Sequence, residues 1–487
     1  MRTRAQEAAV THDLPYLTAT ELLAAYRATE LSPVEATEVA LARIEELDPT
    51  VNACCMVDTE RALADARAAQ ERWGRGRPVG ALDGVPVAVK DVFLTAGWPT
   101  MKGSRTTDLA GPWDDDAPAV AALRRHGAIL HGKTTTPELG WKGVTDSPLT
   151  GVTRNPWDPS RTAGGSSGGS AAAVSLGMTP LALGTDGGGS IRIPCGFCGL
   201  AGIKPTYGRV PLWPVSPFGT LAHAGPMSRT VTDAALLLDV LSEPDSRDWT
   251  ALPPPTGSFT AALDGGVAGL RIAFSPDLGY VRVDDEIAAV VAMAAQALAE
   301  LGATVERCDP PFDDPREDFE TLWYAGAASA TTGLDEALLD PGLAEIVALG
   351  RRQTAMTYLD ATRRRGELGV RMGRFHEEWD LLITPSLPLP AFEAGREVPP
   401  GWPHPRWQTW TGFTYPFNLT QQPAASVPCG FTRGGLPIGL QIVGARHADA
   451  LVLRAARAYE AANPLFDRHP PLGSTAPRRD TTRSADR

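Results

Sequence analysis

Two Gly/Ser clusters, Gly164–Ser170 (GGSSGGS) and Gly187–Ser190 (GGGS), hold the residues best suited to chemistry. Successive backbone N–H groups in a glycine turn form an anion-binding nest, and a serine beside one joins a nucleophile to an oxyanion hole. Between the clusters, Ala171–Val174 have the small-residue character of a packed helix that Gly177 is placed to stop. Pro180–Gly184 then reads as a short buried strand, so the loop–helix–strand–loop unit returns both clusters to one neighbourhood. A flexible linker has a similar composition, but it would not enclose an apolar helix, a strand and the Thr185-Asp186 pair. On residue types alone, a site and a structural loop both stay open.

A base for that serine must come from elsewhere in the chain. Val85, Val87 and Val89 alternate with Pro86, Ala88 and Lys90, which predicts a strand ending at Lys90-Asp91. A strand-end lysine ordinarily snorkels to solvent. The Cys195/Cys198 pair invites a zinc or redox reading, but no second such pair and no His pair accompanies it. Reduced structural thiols are the expectation, and with them a cytoplasmic location.

Helix and strand alternate around these residues: a helix over 117–126, a strand over 128–132, and an α/β fold overall. Thr18…Glu21 and Ser32…Glu35 fit capping boxes, so residues 1–70 read as a helical segment packing on the core. The main α/β unit is expected over 71–467. Thr206–Gly225 is rich in Pro, Gly and aromatics, a composition suited to a pocket wall, with Trp213, Phe218 and His223 as candidate lining residues. The Pro/Gly-rich stretch 243–268 reads as a connection between two lobes. Beyond it come a strand at Leu270–Phe274, an Ala-rich helix at Asp285–Leu301 and a mostly helical region over 313–379. Asp380–Thr384 and Ile438–Val443 read as strands, Ala448–Ala462 as a helix, and 468–487 as a disordered tail.

The net charge of −12, from 45 basic and 57 acidic residues, argues against a nucleic-acid surface. Met1–Leu14 has no apolar core of a signal peptide, and no apolar run reaches transmembrane length, so neither a nucleic-acid nor a membrane partner is expected.

The central stretch resembles the signature of the amidase signature family, with its GGSSGGS and GTDxGGSIR clusters. The resemblance extends to Gly84–Asp91, Cys198–Tyr207, Gly225–Asp233 and Asn418–Gly430, in the family's order across most of residues 75–445. It implies a central mixed twisted β-sheet covered on both faces by helices. It also implies a Ser–cisSer–Lys triad: Ser190 as nucleophile, Ser166 as the bridging serine after a cis peptide, and Lys90 as base. Backbone N–H groups of Gly187, Gly188, Gly189 and Ser190 would hold the oxyanion, while Asp186 and Arg192 match the motif as scaffold. Gly140 falls where relatives line the acyl pocket, with Trp141 and Phe218 beside it as substrate-binding candidates. Substrate choice is expected in the variable region 313–379, with Trp323 and Tyr324 in the pocket. Gly187 departs from the family, where many members have Thr, Ser or Ile.

What the resemblance implies is a stand-alone amidase acting on a small-molecule amide or carbamate through an acyl-enzyme, with esterase activity alongside. No metal and no organic cofactor is called for, and a homodimer stays open. Lys90 serves as base only when neutral, so burial must lower its pKa and Asp91 must point away. Two rivals share the motifs. An α/β-hydrolase would use the G-x-S-x-G of Gly165–Gly169 with His223 or His447, but Asn155–Ala163 before it is not strand-like. The A-type component of a glutamine amidotransferase, working with tRNA-dependent partners, would place an acidic residue where this chain has Thr411.

Overall fold

The computed structural model describes residues 14–473; the stretch before residue 14, where no leader is expected, lies outside them. Eleven strands form one mixed sheet. In chain order they are β1 (Cys54–Val57), β2 (Pro86–Lys90), β3 (Ile129–Thr134), β4 (Leu181–Asp186), β5 (Ala201–Lys204) and β6 (His223–Ser228). They continue with β7 (Arg271–Phe274), β8 (Thr304–Arg307), β9 (Leu381–Pro385), β10 (Ala424–Phe431) and β11 (Pro437–Gly444). The spatial order is β1-β3-β2-β4-β6-β5-β10-β11-β9-β7-β8. β2 runs parallel to both β3 and β4, whereas β4 meets β6, and β10 meets β11, antiparallel.

The two-residue period of the strands divides their side chains between two buried faces. Val87, Val89, Leu181, Leu183, Leu381, Ile383, Leu440 and Ile442 join one core with the helices Pro118–Arg125, Val231–Leu241, Asp285–Glu300 and Asp449–Ala462. Ala88 and Ala182 face the other way, onto the helices Gly168–Ser175 and Arg192–Cys198, with Val174 and Cys195. Ala273, Leu382 and Val443 also face that way, into an aromatic-rich core with the helices Arg316–Ala330, Pro341–Gly350 and Ala355–Glu378. The sheet is thus buried on both faces by helices, the α/β architecture expected.

Both capping boxes form: Thr18 starts the helix Ala19–Arg27, and Ser32 starts Pro33–Val51. Three readings change. The first 70 residues supply a strand as well as helices, because β1 pairs antiparallel with β3 at the sheet edge. Its four residues alternate between half-buried and exposed, too short a pattern to register as a strand. The stretch 243–268 leads not to a separate lobe but to β7, which joins the same sheet through β9. The tail is packed at its start: the His469 ring stacks on Tyr16 with centroids 3.6 Å apart, and the Gly473 carbonyl accepts a hydrogen bond from Arg43 at 3.0 Å. Residues 474–487 lie outside the described part.

Candidate active site

Parallel pairing sets Val89 beside Leu183, so the next residues along β2 and β4 bring Lys90 to the side of Thr185. The turn Gly164–Ser167, which leads into the helix Gly168–Ser175, closes over the same strand ends. Its Gly165–Ser166 peptide is cis. The Lys90 amine is fully buried, with the Ser166 hydroxyl at 2.7 Å, Ser167 at 2.9 Å and Thr185 at 2.7 Å. It has no carboxylate partner among the described residues. Burial drives its pKa well below the ordinary lysine value, and the charge of Asp186, which opposes this, does not restore it. Asp91 turns aside to Lys133, 3.2 Å away.

A neutral amine has two N–H donors and one lone pair. The Ser167 hydroxyl donates to the Thr185 carbonyl at 3.2 Å, so it accepts from Lys90. That leaves the Ser166 and Thr185 hydroxyls to share the second N–H and the lone pair. Neither Ser167 nor Thr185 stands out in the sequence as a partner of the lysine. Ser167 is hidden by its place beside another serine in the same cluster, and Thr185 by the Asp next to it.

The second cluster hangs on a buried ion pair. Asp186 and Arg192 meet at 2.9 Å, both with fully buried side chains. Arg192 also donates to Gln441 at 2.8 Å, to Asn418 at 2.7 Å and to the Thr414 carbonyl at 2.9 Å. Burial alone would raise the Asp186 carboxyl, but the Arg192 charge and its hydrogen bonds hold it well below the carboxylate range.

Gly189 departs from its expected place in the oxyanion hole. Its N–H donates to Asp186 at 2.7 Å and so is turned away from the cavity, because a buried carboxylate takes every donor in reach. Among the described residues the N–H groups of Gly187, Gly188 and Ser190 have no partner, leaving three candidate oxyanion donors instead of four. Gly189 has φ of +130°, a conformation that an L side chain rarely adopts. The Ser190 carbonyl accepts from the Ser167 N–H at 3.3 Å and ties the two clusters together. The Ser190 hydroxyl itself has no protein partner among the described residues.

Ser166, Gly187 and Ser190 open onto a cavity of about 210 Å3. Gly140 lies on its wall, where a methyl group at that position would stand 3.3 Å from the Ser166 hydroxyl. Phe218 lies there too, stacked on Trp323 with centroids 4.0 Å apart. Trp213 and His223 also line the cavity, as expected. The His223 Nδ1 is held by the Leu221 carbonyl at 2.8 Å, and burial pushes its pKa far down. Among the described residues, no serine hydrogen-bonds to the ring.

Trp141 lies behind the wall instead: its ring is buried in the aromatic core, and its carbonyl accepts from the Trp323 indole at 3.0 Å. Tyr324 is likewise core. The helical region 313–379 reaches the cavity only through Trp323 and Ala330, and the loop 212–218 supplies much more of the wall. That loop is moored by Asp248, which accepts from the Leu212 N–H at 2.8 Å, and by Arg247 over the Trp213 ring at 4.8 Å.

Trp323 gives a physical reason for Gly187. A Cβ there would stand 2.8 Å from the indole, closer than real Cβ contacts come. At Gly188 it would meet Phe319 and Trp407 at 2.7 Å. Two of the three consecutive glycines therefore leave the space that these aromatics occupy.

At the end of the mixed sheet, then, a buried lysine faces serine hydroxyls beside a turn that offers free N–H groups, an arrangement able to activate a hydroxyl toward a carbonyl. The chain belongs to the amidase signature family: the family model described as Amidase matches residues 35–453. It is 38% identical to an acylamidase of Rhodococcus erythropolis over 94% of this chain and 98% of that protein. It is 37% identical to the A-type component of the glutamyl-tRNA(Gln) amidotransferase of Chloroflexus aggregans, over 94% and 99%. The solved structure of a bacterial aryl acylamidase of the amidase signature family superposes with a TM-score of 0.88 at 31% identity, covering 95% of this chain and 99% of that one. Among the described residues, no helix is long and apolar enough to cross a membrane.

Gly187→Ser forces the indole to move and, as overpacking, should destabilise the fold by ~1–3 kcal/mol. Turnover of an anilide should fall with the thermal midpoint. Trp323→Leu added to Gly187→Ser should recover much of both. A double variant no better than Gly187→Ser would show that the ring does not set the requirement for glycine.

Proposed function

We propose that this chain is a stand-alone amidase cleaving anilides and other apolar acyl amides, and aryl carbamates alongside them, with Ser190, Ser166 and Lys90 as its catalytic groups. The carrying observation is the Lys90 amine, buried without a carboxylate partner among the described residues and 2.7 Å from Ser166. Ser190 attacks the carbonyl carbon as its proton passes to Ser166, whose own proton passes to the lone pair of Lys90. The oxyanion is received by the N–H groups of Gly187, Gly188 and Ser190; losing one such donor typically costs about 3 kcal/mol of barrier. As the C–N bond breaks, Ser166 gives a proton to the amine nitrogen and regains one from Lys90. Water then attacks the acyl-Ser190 ester over the same relay, releasing the acid and restoring the hydroxyl.

The amidotransferase reading is favoured less. Among the described residues, no carboxylate lines the cavity to receive the ammonium of glutamine. Thr411, at the position where that branch has an acid, is buried, and its hydroxyl faces carbonyls of its own turn. Phe218 on Trp323 instead supports an aromatic or aliphatic group.

Purified protein and Ser190→Ala, each offered an anilide, a primary amide, glutamine and an aryl carbamate, test this directly. Release of aniline or of the carbamate's amine by the parent alone is the expected result. Turnover of glutamine only, or equal rates from Ser190→Ala, would overturn it.

The pH profile offers a second check. Lys90 works deprotonated and its pKa is depressed, so kcat/KM should rise with pH through an ionisation well below the ordinary lysine value of about 10.4 and then level off. A limb rising only near that ordinary value would mean that burial does not poise this lysine.

A further inference from the structure

The chain contains only five lysines, Lys90, Lys102, Lys133, Lys142 and Lys204, and leaves the rest of its positive charge to arginine. Four of them have buried side chains with defined partners. Lys90 faces the hydroxyls described above, and Lys133 meets Asp91 and Thr100. Lys142 meets Asp146 and Asp340, and Lys204 meets the carbonyls of Pro205 and Gln422. Lys102 is the exception: half-buried, its ammonium has neither a hydrogen bond nor an ion pair among the described residues. Among those residues it is also the one with a formal charge on the wall of the cavity that holds Ser166 and Ser190.

The backbone of Lys102 is fixed from both sides. Its N–H donates to the Asp91 carbonyl at 3.0 Å, and its carbonyl accepts from the Leu139 N–H at 2.7 Å, next to Gly140. Its φ of +55° is unusual for a residue with a side chain. The acids beside those contacts are committed elsewhere, Asp91 to Lys133, and Glu138 to the Ser104 hydroxyl and the Asp340 N–H. Lys102 is thus an unpaired, half-buried cation on a mostly apolar wall.

We infer that Lys102 is a specificity residue that receives a carboxylate carried by the substrate at a distance from the scissile amide, a reading that rests on the amidase assignment above. One ammonium balances one negative charge; a dianion would leave excess charge against Phe93, Leu94 and Phe218, which line the same wall. The substrate class is therefore an amide with an apolar or aromatic body and a single carboxylate on its acyl or its amine portion.

The test uses Ser190→Ala protein, which keeps ligands intact, with tryptophan fluorescence reporting binding through Trp213 and Trp323. Three probes are compared: butyranilide, succinanilic acid with a carboxylate in place of the acyl methyl, and 4-butyramidobenzoate with a carboxylate on the amine side. A charge-assisted hydrogen bond predicts that at least one acid binds about tenfold or more tighter than butyranilide. Adding Lys102→Met should erase that preference, and adding Lys102→Arg should keep it. A neutral fold defect would weaken all three probes together and leave their ratio unchanged.

If neither acid is preferred, or the preference survives Lys102→Met, the inference is overturned. Cleavage of butyranilide by the parent decides the amidase reading separately, so each reading fails on its own measurement.

Discussion

The buried pair of Asp186 and Arg192 is the constraint on which the site depends. It joins the end of β4 to the first turn of the helix Arg192–Cys198, and everything between them is glycine, Ser190 and Ile191. Two opposite charges without water are stable only when their remaining lone pairs and protons are satisfied. Here they are: Gly189 and Asn418 donate to the aspartate, while Gln441, Asn418 and the Thr414 carbonyl accept from the arginine. The network therefore couples the Gly187–Ser190 turn to β11 and to the turn before residue 418. The shape of the turn is set by a charge pair rather than by its own flexible glycines.

The same pair bears on Lys90. Asp186 is the charge that pulls the Lys90 pKa upward, against burial. Desolvation of the buried amine outweighs that pull, so its pKa stays well below the ordinary lysine value. Lys204 and His223 lie in the same field, and burial lowers the pKa of both. Burial thus disfavours the charged form of three basic groups around one paired acid. The partners of the Lys90 amine are hydroxyls, which can either accept from it or donate to it.

Much of this was legible in the sequence because its signals are local. The alternation of Val85, Val87 and Val89 marks β2, and serine and threonine followed three residues later by glutamate mark two helix starts. Gly177 after Ala171–Val174 marks a helix end. What was not legible depends on contacts between distant segments. The loss of the Gly189 N–H to Asp186 is invisible until the carboxylate is seen to be buried. Trp141 reads as a pocket aromatic beside Gly140, yet a small change of direction sends its ring into the core, where it supports Trp323 through its carbonyl. The four-residue β1 lies below the length at which alternation distinguishes a strand from a loop. Lys102 gave no signal, since one lysine in a loop has no pattern to be read against.

The wall of the cavity shows how such distant contacts shape specificity. Trp323 lies far along the chain from Gly187, but the indole fills the volume that a side chain at 187 would need. Phe218, from a third segment, stacks on that indole, and Gly326 makes room for it, since a Cβ there would meet the Phe218 ring at 2.9 Å. Glycines at 187 and 326 and aromatics at 218 and 323 therefore form one packing unit built from three parts of the sequence. Substituting any one of them alone meets close-packed neighbours and costs more than its own contacts suggest. The helical region as a whole is thus a support: it acts on the cavity mainly through one indole, which occupies the space that Gly187 leaves.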